Sequence, residues 1–342
     1  MTMEMHKENS KIESGEEQGA FLTLAHVLAG KRDFNDLSPE IQKDVFAIAQ
    51  NHFLSGLLYR LCPPANPEIY GAAEREWTTQ SVQNLVLLQA LQEFETECRN
   101  SGLHPVRLKG ASLIPRIYPD LGSRHLSDVD LLFDEAELLK AQEILIKRDY
   151  QADPVLDFVG SRNRQAWVMS HPSGIEIGMD LHTRINWRPT TGLLLRIVED
   201  PGGFLRLDDK TEFLHLILNW IEQDTCVSFN KMMDIYFYFC STAQIENWPA
   251  WLEEMRGYGF GRSTRLAFII LQEVFGSAET VTPDSKSELW ARELIRTGWL
   301  QDPQRDALKY FGFKHLTKPL VQSLIYDLDW TWANLKRRIG FW

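Results

Sequence analysis

The chain reads as an α+β fold in which a central sheet-forming segment lies between two helical units. Three observations predict it. Apolar residues recur with helical spacing over residues 20–100 and again over 191–342. Between them, over 101–190, they gather into short strand-length runs bounded by Gly, Pro and Ser. The turn His171-Pro172-Ser173-Gly174, set between two such runs, marks an antiparallel hairpin.

Taken in order, residues 1–19 are rich in Glu, Lys and Ser and are expected to form a disordered tail. The pattern over 20–29 predicts a helix closed by Gly30. Ser38 is an N-cap followed by Pro39 in the first turn, and that helix should run to about His52. Pro63, Pro64 and Pro67 interrupt the chain before a long helix over 68–99, with Leu85, Leu88, Leu91 and Phe94 as its apolar face.

The turn over 102–105 leads into a first core strand through Val106 and Leu108. A short helix over 111–118, interrupted by Pro115, and a strand over 129–133 follow. Asp134 is expected to cap a helix over 135–148, with Glu137 as the reciprocal partner of a capping box. Apolar runs at 155–159, 166–169 and 175–181 complete the sheet, and Arg162 and Arg164 read as solvated loop charges.

From Thr190 onward helices are expected over 211–223, 230–240, 249–256, 263–275, 287–299 and 318–339. Gly257-Tyr258-Gly259-Phe260-Gly261 follows a helix rather than a strand, so it is a helix-to-helix turn and not a dinucleotide loop. The run from Trp330 to Trp342 is read as a last helix that packs its tryptophans into the domain.

Composition narrows the function. With 342 residues, 44% of them hydrophobic, the chain can bury a large core divided among two or three units. A net charge of -11 argues against a nucleic-acid binder, whose affinity comes from clustered Lys and Arg. Cys62, Cys98, Cys226 and Cys240 form no Cys-x-x-Cys pair, so reduced thiols in a cytoplasm are expected rather than a zinc or disulfide framework. No stretch reaches the roughly 20 apolar residues of a membrane span, and no apolar signal-peptide core is seen.

The chemistry is concentrated in Ser127-Asp128-Val129-Asp130. On a strand, the period of two puts Asp128 and Asp130 on one side, where two carboxylates repel unless a divalent cation lies between them. Asp180, with His182 two residues later, supplies a third carboxylate from the hairpin. Three carboxylates on adjacent strands can hold two cations roughly 3.5–4 Å apart, the arrangement that activates an attacking oxygen and stabilises a leaving pyrophosphate. The Gly110 turn and the helix start beyond it form an anion site for a triphosphate, with Lys109 adding a cation.

Leu108-Lys109-Gly110-Ala111, Tyr118-Pro119-Asp120, Arg124, Ser127-Asp128-Val129-Asp130-Leu131-Leu132 and Asp180-Leu181-His182, in this order, resemble the uncharacterised bacterial nucleotidyltransferases of the DNA polymerase β-like superfamily. Leu214-His215-Leu216 and Met233-Asp234 extend the resemblance downstream. It implies a polymerase β-like core with a mixed sheet, flanked by helical units, that binds an NTP, ATP first among them, with two Mg2+ or with Mn2+ as substitute. Asp128, Asp130 and Asp180 would be the catalytic metal ligands. Lys109, Gly110, Arg124 and Ser127 would bind the nucleotide, and His182, His215 and Asp234 would line the acceptor pocket.

The implied reaction moves a nucleoside monophosphate to a hydroxyl, phosphate or carboxylate of a peptide or small molecule in a biosynthetic setting. A non-catalytic nucleotide-binding adaptor of the same fold is the alternative. The chain departs from the superfamily pattern where Gly110-Ala111 stands far ahead of the Asp pair, and where Asn219 replaces a second histidine.

Overall fold

A computed structural model describes residues 19–153, 164–185, 195–223, 228–241 and 248–276. The chain begins with α1 (Ala20–Leu28), closed by Gly30 at a left-handed φ of +69°. α2 (Pro39–Asn51) starts where its caps dictate, with Ser38 Oγ accepting from the Ile41 N–H at 3.4 Å and Pro39 in the first helical position. A short helix α3 (Ser55–Leu61) follows, in a stretch where none was expected. Asn66 then caps the 34-residue helix α4 (Pro67–Asn100), its Oδ1 accepting from the Glu68 N–H at 3.0 Å.

The buried face of α4 runs through Leu87, Leu91, Phe94 and Cys98, whereas Leu85 is 57% exposed. Of the expected stripe, Leu91 and Phe94 are buried and Leu88 packs against the core, while Leu85 gives its place to Leu87. Leucines crowd residues 85–91, and packing against the sheet decides that Leu87 rather than Leu85 is buried.

The sheet is built from β1 (Val106–Arg107), β2 (Val129–Leu132), β3 (Gln151–Ala152), β4 (Arg164–Ser170), β5 (Glu176–His182), β6 (Ile197–Glu199) and β7 (Leu205–Leu207). Its order is β3-β4-β5-β2-β1-β7-β6. It is mixed: β2 runs parallel to β5 and β1 parallel to β7, while the other neighbours are antiparallel. Every residue of the central strand β2 is buried. The hairpin expected around His171 joins β4 to β5.

Two strands lie where only helices were expected, beyond residue 190. Asp200-Pro201-Gly202-Gly203 turns β6 into β7, with the Gly203 N–H bonded to Asp200 O at 2.7 Å and Gly203 at φ +78°. The sheet therefore extends past the expected core boundary.

Between the strands lie α5 (Lys109–Ile117), which keeps Pro115 inside it, and α6 (Glu135–Lys147). Asp134 stands at the N-cap of α6, but its side chain makes no cap bond. The expected box partner Glu137 instead meets His104 Nδ1 at 3.2 Å.

After the sheet come α7 (Asp209–Leu218), a π-helical turn at Asn219–Gln223, α8 (Phe229–Ser241), α9 (Trp248–Gly257) and α10 (Gly261–Phe275). Gly259, at φ +84°, makes the turn between the last two. α1 to α3 and α7 to α10 share one apolar core, through Phe34, Phe213, Trp220 and Phe268 among others. The sheet, α4 and α6 enclose another, through Phe94, Leu131, Met179 and Leu181.

α4 serves both cores, with Ile69 and Ala73 in the first and Leu87 to Cys98 in the second. Among the described residues, no helix is long and apolar enough to cross a membrane, and Cys62, Cys98 and Cys240 are free thiols. The first 18 residues, the run at 155–159, Arg162, Cys226, the helices expected at 287–299 and 318–339 and the tryptophan-rich terminus lie outside the described residues.

Candidate active site

Strand register builds the centre of the site. β2 and β5 run parallel with Asp130 directly opposite Asp180 and Leu132 opposite His182. The period of two then puts Asp130, Asp180 and His182 on one face. One donor atom from each lies within 4.8 Å of the other two. Asp130 and Asp180 are buried, at 4% and 2% exposure. Asp128, at the entry to β2, stays partly open at the edge of this group, with Ser127 Oγ donating to its Oδ1 at 2.8 Å.

Basic side chains neutralise the carboxylates. Lys109 Nζ donates to Asp130 Oδ1 at 2.6 Å, and His182 Nε2 meets the same oxygen at 2.8 Å. Burial disfavours the Asp130 carboxylate, but Lys109 and His182 outweigh it and hold the group well below the usual range. Lys109 adopts φ +47°, a left-handed backbone that costs an L-residue roughly 1–2 kcal/mol. The β1–α5 turn thus keeps a strained residue whose ammonium reaches the site.

Arg164 forms an ion pair with Asp180 and stands 3.7 Å from Asp128 Oδ2. The pair is made by Arg164 Nη2 on Asp180 Oδ2. Burial, with repulsion from Asp130 and Asp128, pushes the Asp180 carboxyl up to about 7 against the pull of Arg164.

Arg164 had been read as a solvated loop charge, yet the hairpin register places it opposite His182. The signal was present. The turn at 171–174 sets Ser170 against Glu176, and counting outward brings Arg164 to the face that carries Asp180 and His182.

His215, from α7, lies beneath the same group. Its Nδ1 donates to Ile185 O at 2.8 Å, which leaves Nε2 buried with no partner. Burial and the nearby charge of Lys109 push this imidazole down to about 3, so it is neutral.

Arg124 and Asp234 are brought together rather than apart. Arg124 forks onto Asp234, Nε to Oδ1 at 2.8 Å and Nη2 to Oδ2 at 2.7 Å, and Tyr118 Oη donates to Oδ1 at 2.6 Å. The guanidinium expected on phosphate and the carboxylate expected in an acceptor pocket are thus each other's buried partners. Gly110 makes room for the pair: a Cβ there would come within 2.4 Å of Arg124 Nη1 and 2.5 Å of Leu126 Cδ1.

The loop leading to Asp128 is held by residues outside the expected site set. Asn84, buried on α4, donates to Leu121 O at 2.6 Å and Arg124 O at 2.5 Å, and accepts from the Leu126 N–H at 3.2 Å. Asp120 accepts from Trp77 Nε1 at 2.9 Å and pairs with Arg60 at 2.9 Å. A lone Asn on a helix gives no sequence signal of this kind.

Two carboxylates and an imidazole on one face, those of Asp130, Asp180 and His182, form a donor set that fits a divalent cation. The oxygen donors suit Mg2+, and the imidazole admits Mn2+.

Residues 38–276 match the family model described as uncharacterised nucleotidyltransferase. No curated protein and no solved structure matches the chain. The matched span covers well over half of the sequence and holds every residue of the site described above. The chain belongs to the uncharacterised nucleotidyltransferase family.

Proposed function

We propose that the protein is a divalent-metal-dependent nucleotidyltransferase of the polymerase β-like type, working in the cytoplasm. It takes an NTP, ATP first, and transfers the nucleoside monophosphate to a hydroxyl, phosphate or carboxylate oxygen of a peptide or small molecule. The acceptor oxygen bonds to the α-phosphorus as the α–β anhydride breaks, and pyrophosphate leaves. The observation that carries this reading is the Asp130–Asp180 register pair with His182 on the same face.

Asp130 and Asp180, joined by Asp128 at the open edge, would hold two Mg2+ ions or their Mn2+ substitutes. Once bound, the cations supply charge stabilisation to the phosphoryl group and acidity to the acceptor oxygen. Lys109 and Arg164 now neutralise the carboxylates. Freed from them, both would turn to phosphate oxygens, with Ser127 and the Gly110 turn beside them. The unpartnered His215 Nε2 can accept a hydrogen bond on the acceptor side, with His182 close to it.

The test is pyrophosphate release from each NTP with Mg2+ or Mn2+ and fractionated small-molecule and peptide acceptors, comparing wild type with Asp130→Asn and Asp180→Asn. Release that falls to background in both variants is expected. Equal release from all three proteins rejects catalysis here, and nucleotide binding without pyrophosphate identifies an adaptor.

A further inference from the structure

The end of α2 carries an aromatic residue where the backbone calls for glycine. The Phe53 N–H bonds to Gln50 O at 3.1 Å and the Leu54 N–H to Ala49 O at 2.7 Å, the paired bonds of a Schellman cap with Phe53 at its left-handed position. Phe53 has φ +58° and is 50% exposed. Glycine takes this conformation without strain, and a bulky residue there is a backbone outlier. The fold gains no buried core contact from this side chain in return.

What Phe53 touches gives the outlier a use. Its ring stacks on His125, with centroids 4.5 Å apart and planes 16° from parallel. His125 belongs to the loop that ends at Asp128, the open-edge carboxylate of the site, and Asp128 is close enough to act on its charge. The loop is fastened at this point, with Arg124 Nη1 donating to His125 O at 2.8 Å and Asn84 bonded to Arg124 O and Leu126 N. Burial and the Arg124 charge favour the neutral imidazole, which stacks without a cation to solvate. The neighbouring His52 turns the other way, into Phe21 and Phe229. The cap therefore delivers one aromatic ring inward and one outward.

We propose that Phe53, backed by His125, is the platform on which the base of the bound nucleoside triphosphate stacks. This rests on the nucleotidyltransferase reading. A half-exposed, pre-stacked ring beside a carboxylate loop suits a planar heterocycle whose phosphates point to the metal-binding group, and stacking on such a ring tolerates any base. Phe53 thus belongs to base binding, while the carboxylates belong to the phosphates.

The experiment measures binding by calorimetry with Mn2+ present, using the full chain as wild type, Phe53→Gly and Phe53→Trp. Each of the four NTPs is compared with inorganic triphosphate, which has no base. Phe53→Gly should weaken the best NTP about tenfold or more, leave inorganic triphosphate unchanged, and keep or raise the melting temperature, because glycine relieves the left-handed cap. Phe53→Trp should retain NTP affinity.

Unchanged NTP affinity in Phe53→Gly overturns the platform while leaving the nucleotidyltransferase reading standing. Equal weakening of NTP and inorganic triphosphate, or a lowered melting temperature, assigns Phe53 a structural role and also overturns it. If the wild type binds neither ligand, the nucleotidyltransferase reading fails and the platform fails with it.

Discussion

Arg124 and Asp234, 110 residues apart in the chain, meet as a buried two-pronged ion pair. The pair fastens the loop that presents Asp128 to helix α8, and Tyr118 seals it from the other side. Asp234→Ala strands a buried guanidinium, and breaking a pair in this way costs about 3–5 kcal/mol. The apolar double variant Arg124→Met/Asp234→Leu should recover most of that loss, because both buried charges go together. Urea denaturation of the three proteins checks it. A loss under about 1 kcal/mol for Asp234→Ala would show that the pair is dispensable to the fold.

Gly110 predicts a related effect from a smaller change. A methyl group there meets Arg124 Nη1 at 2.4 Å and Leu126 Cδ1 at 2.5 Å, both short of any tolerable contact. Gly110→Ala should therefore disturb the Arg124–Asp234 pair and destabilise the chain by about 1–3 kcal/mol, the usual scale for overpacking a tight site. The loss should shrink in an Arg124→Met background, where one of the two clashing groups is more pliable. An equal loss in both backgrounds would place the cost elsewhere.

Much of this architecture is legible in the residues, for reasons that differ from element to element. Ser38-Pro39 and Asn66-Pro67 combine a capping side chain with a preset φ, so both helix starts follow from local chemistry. The hairpin after Ser170 follows from its turn, and alternation along β5 puts Asp180 and His182 on one face, whereas the parallel β2–β5 register that sets Asp130 opposite Asp180 is a long-range contact.

Harder to read was whatever depends on chain segments meeting at a distance. Leu85 and Leu87 are alike in type, and only the partner surface decides which is buried. Arg124 and Asp234 each suit a site by their chemistry, and nothing local shows that the fold makes them neighbours. The β6–β7 hairpin had a readable turn in Asp200-Pro201-Gly202-Gly203, but its strands are three residues long, too short for alternation to stand out.

Asn84 is the test of whether loop position governs the site. Its amide satisfies two carbonyls and one N–H of the loop before Asp128, and all of these bonds are lost in Asn84→Ala. Leaving buried loop groups unsatisfied costs about 1–3 kcal/mol each. The variant should unfold earlier and also lose part of the thermal stabilisation by Mn2+, since Asp128 rides on the released loop. If it is destabilised yet shows the full Mn2+-induced shift, the loop and the ion site are independent.

Asp180 gives the centre a pH signature that can be read without knowing the substrate. Burial raises its carboxyl to about 7 from an ordinary 3.8. Between these values the folded chain holds a proton that the unfolded chain has released, so this group's stabilising contribution is complete below about 3.8 and is lost as pH rises toward 7. The slope is at most about 1.4 kcal/mol per pH unit.

Asp180→Asn has no such proton to lose. In EDTA, the stability of wild type minus that of the variant should fall steadily with rising pH across this window. Adding Mn2+ should restore the wild type above pH 7 and leave the variant unmoved, because a cation binds the deprotonated carboxylate. Denaturation at a series of pH values measures both arms. A difference that stays flat or climbs in EDTA would mean that Arg164 keeps Asp180 ionised, and the buried acid would then be a fixed half of an ion pair rather than a ligand waiting for metal.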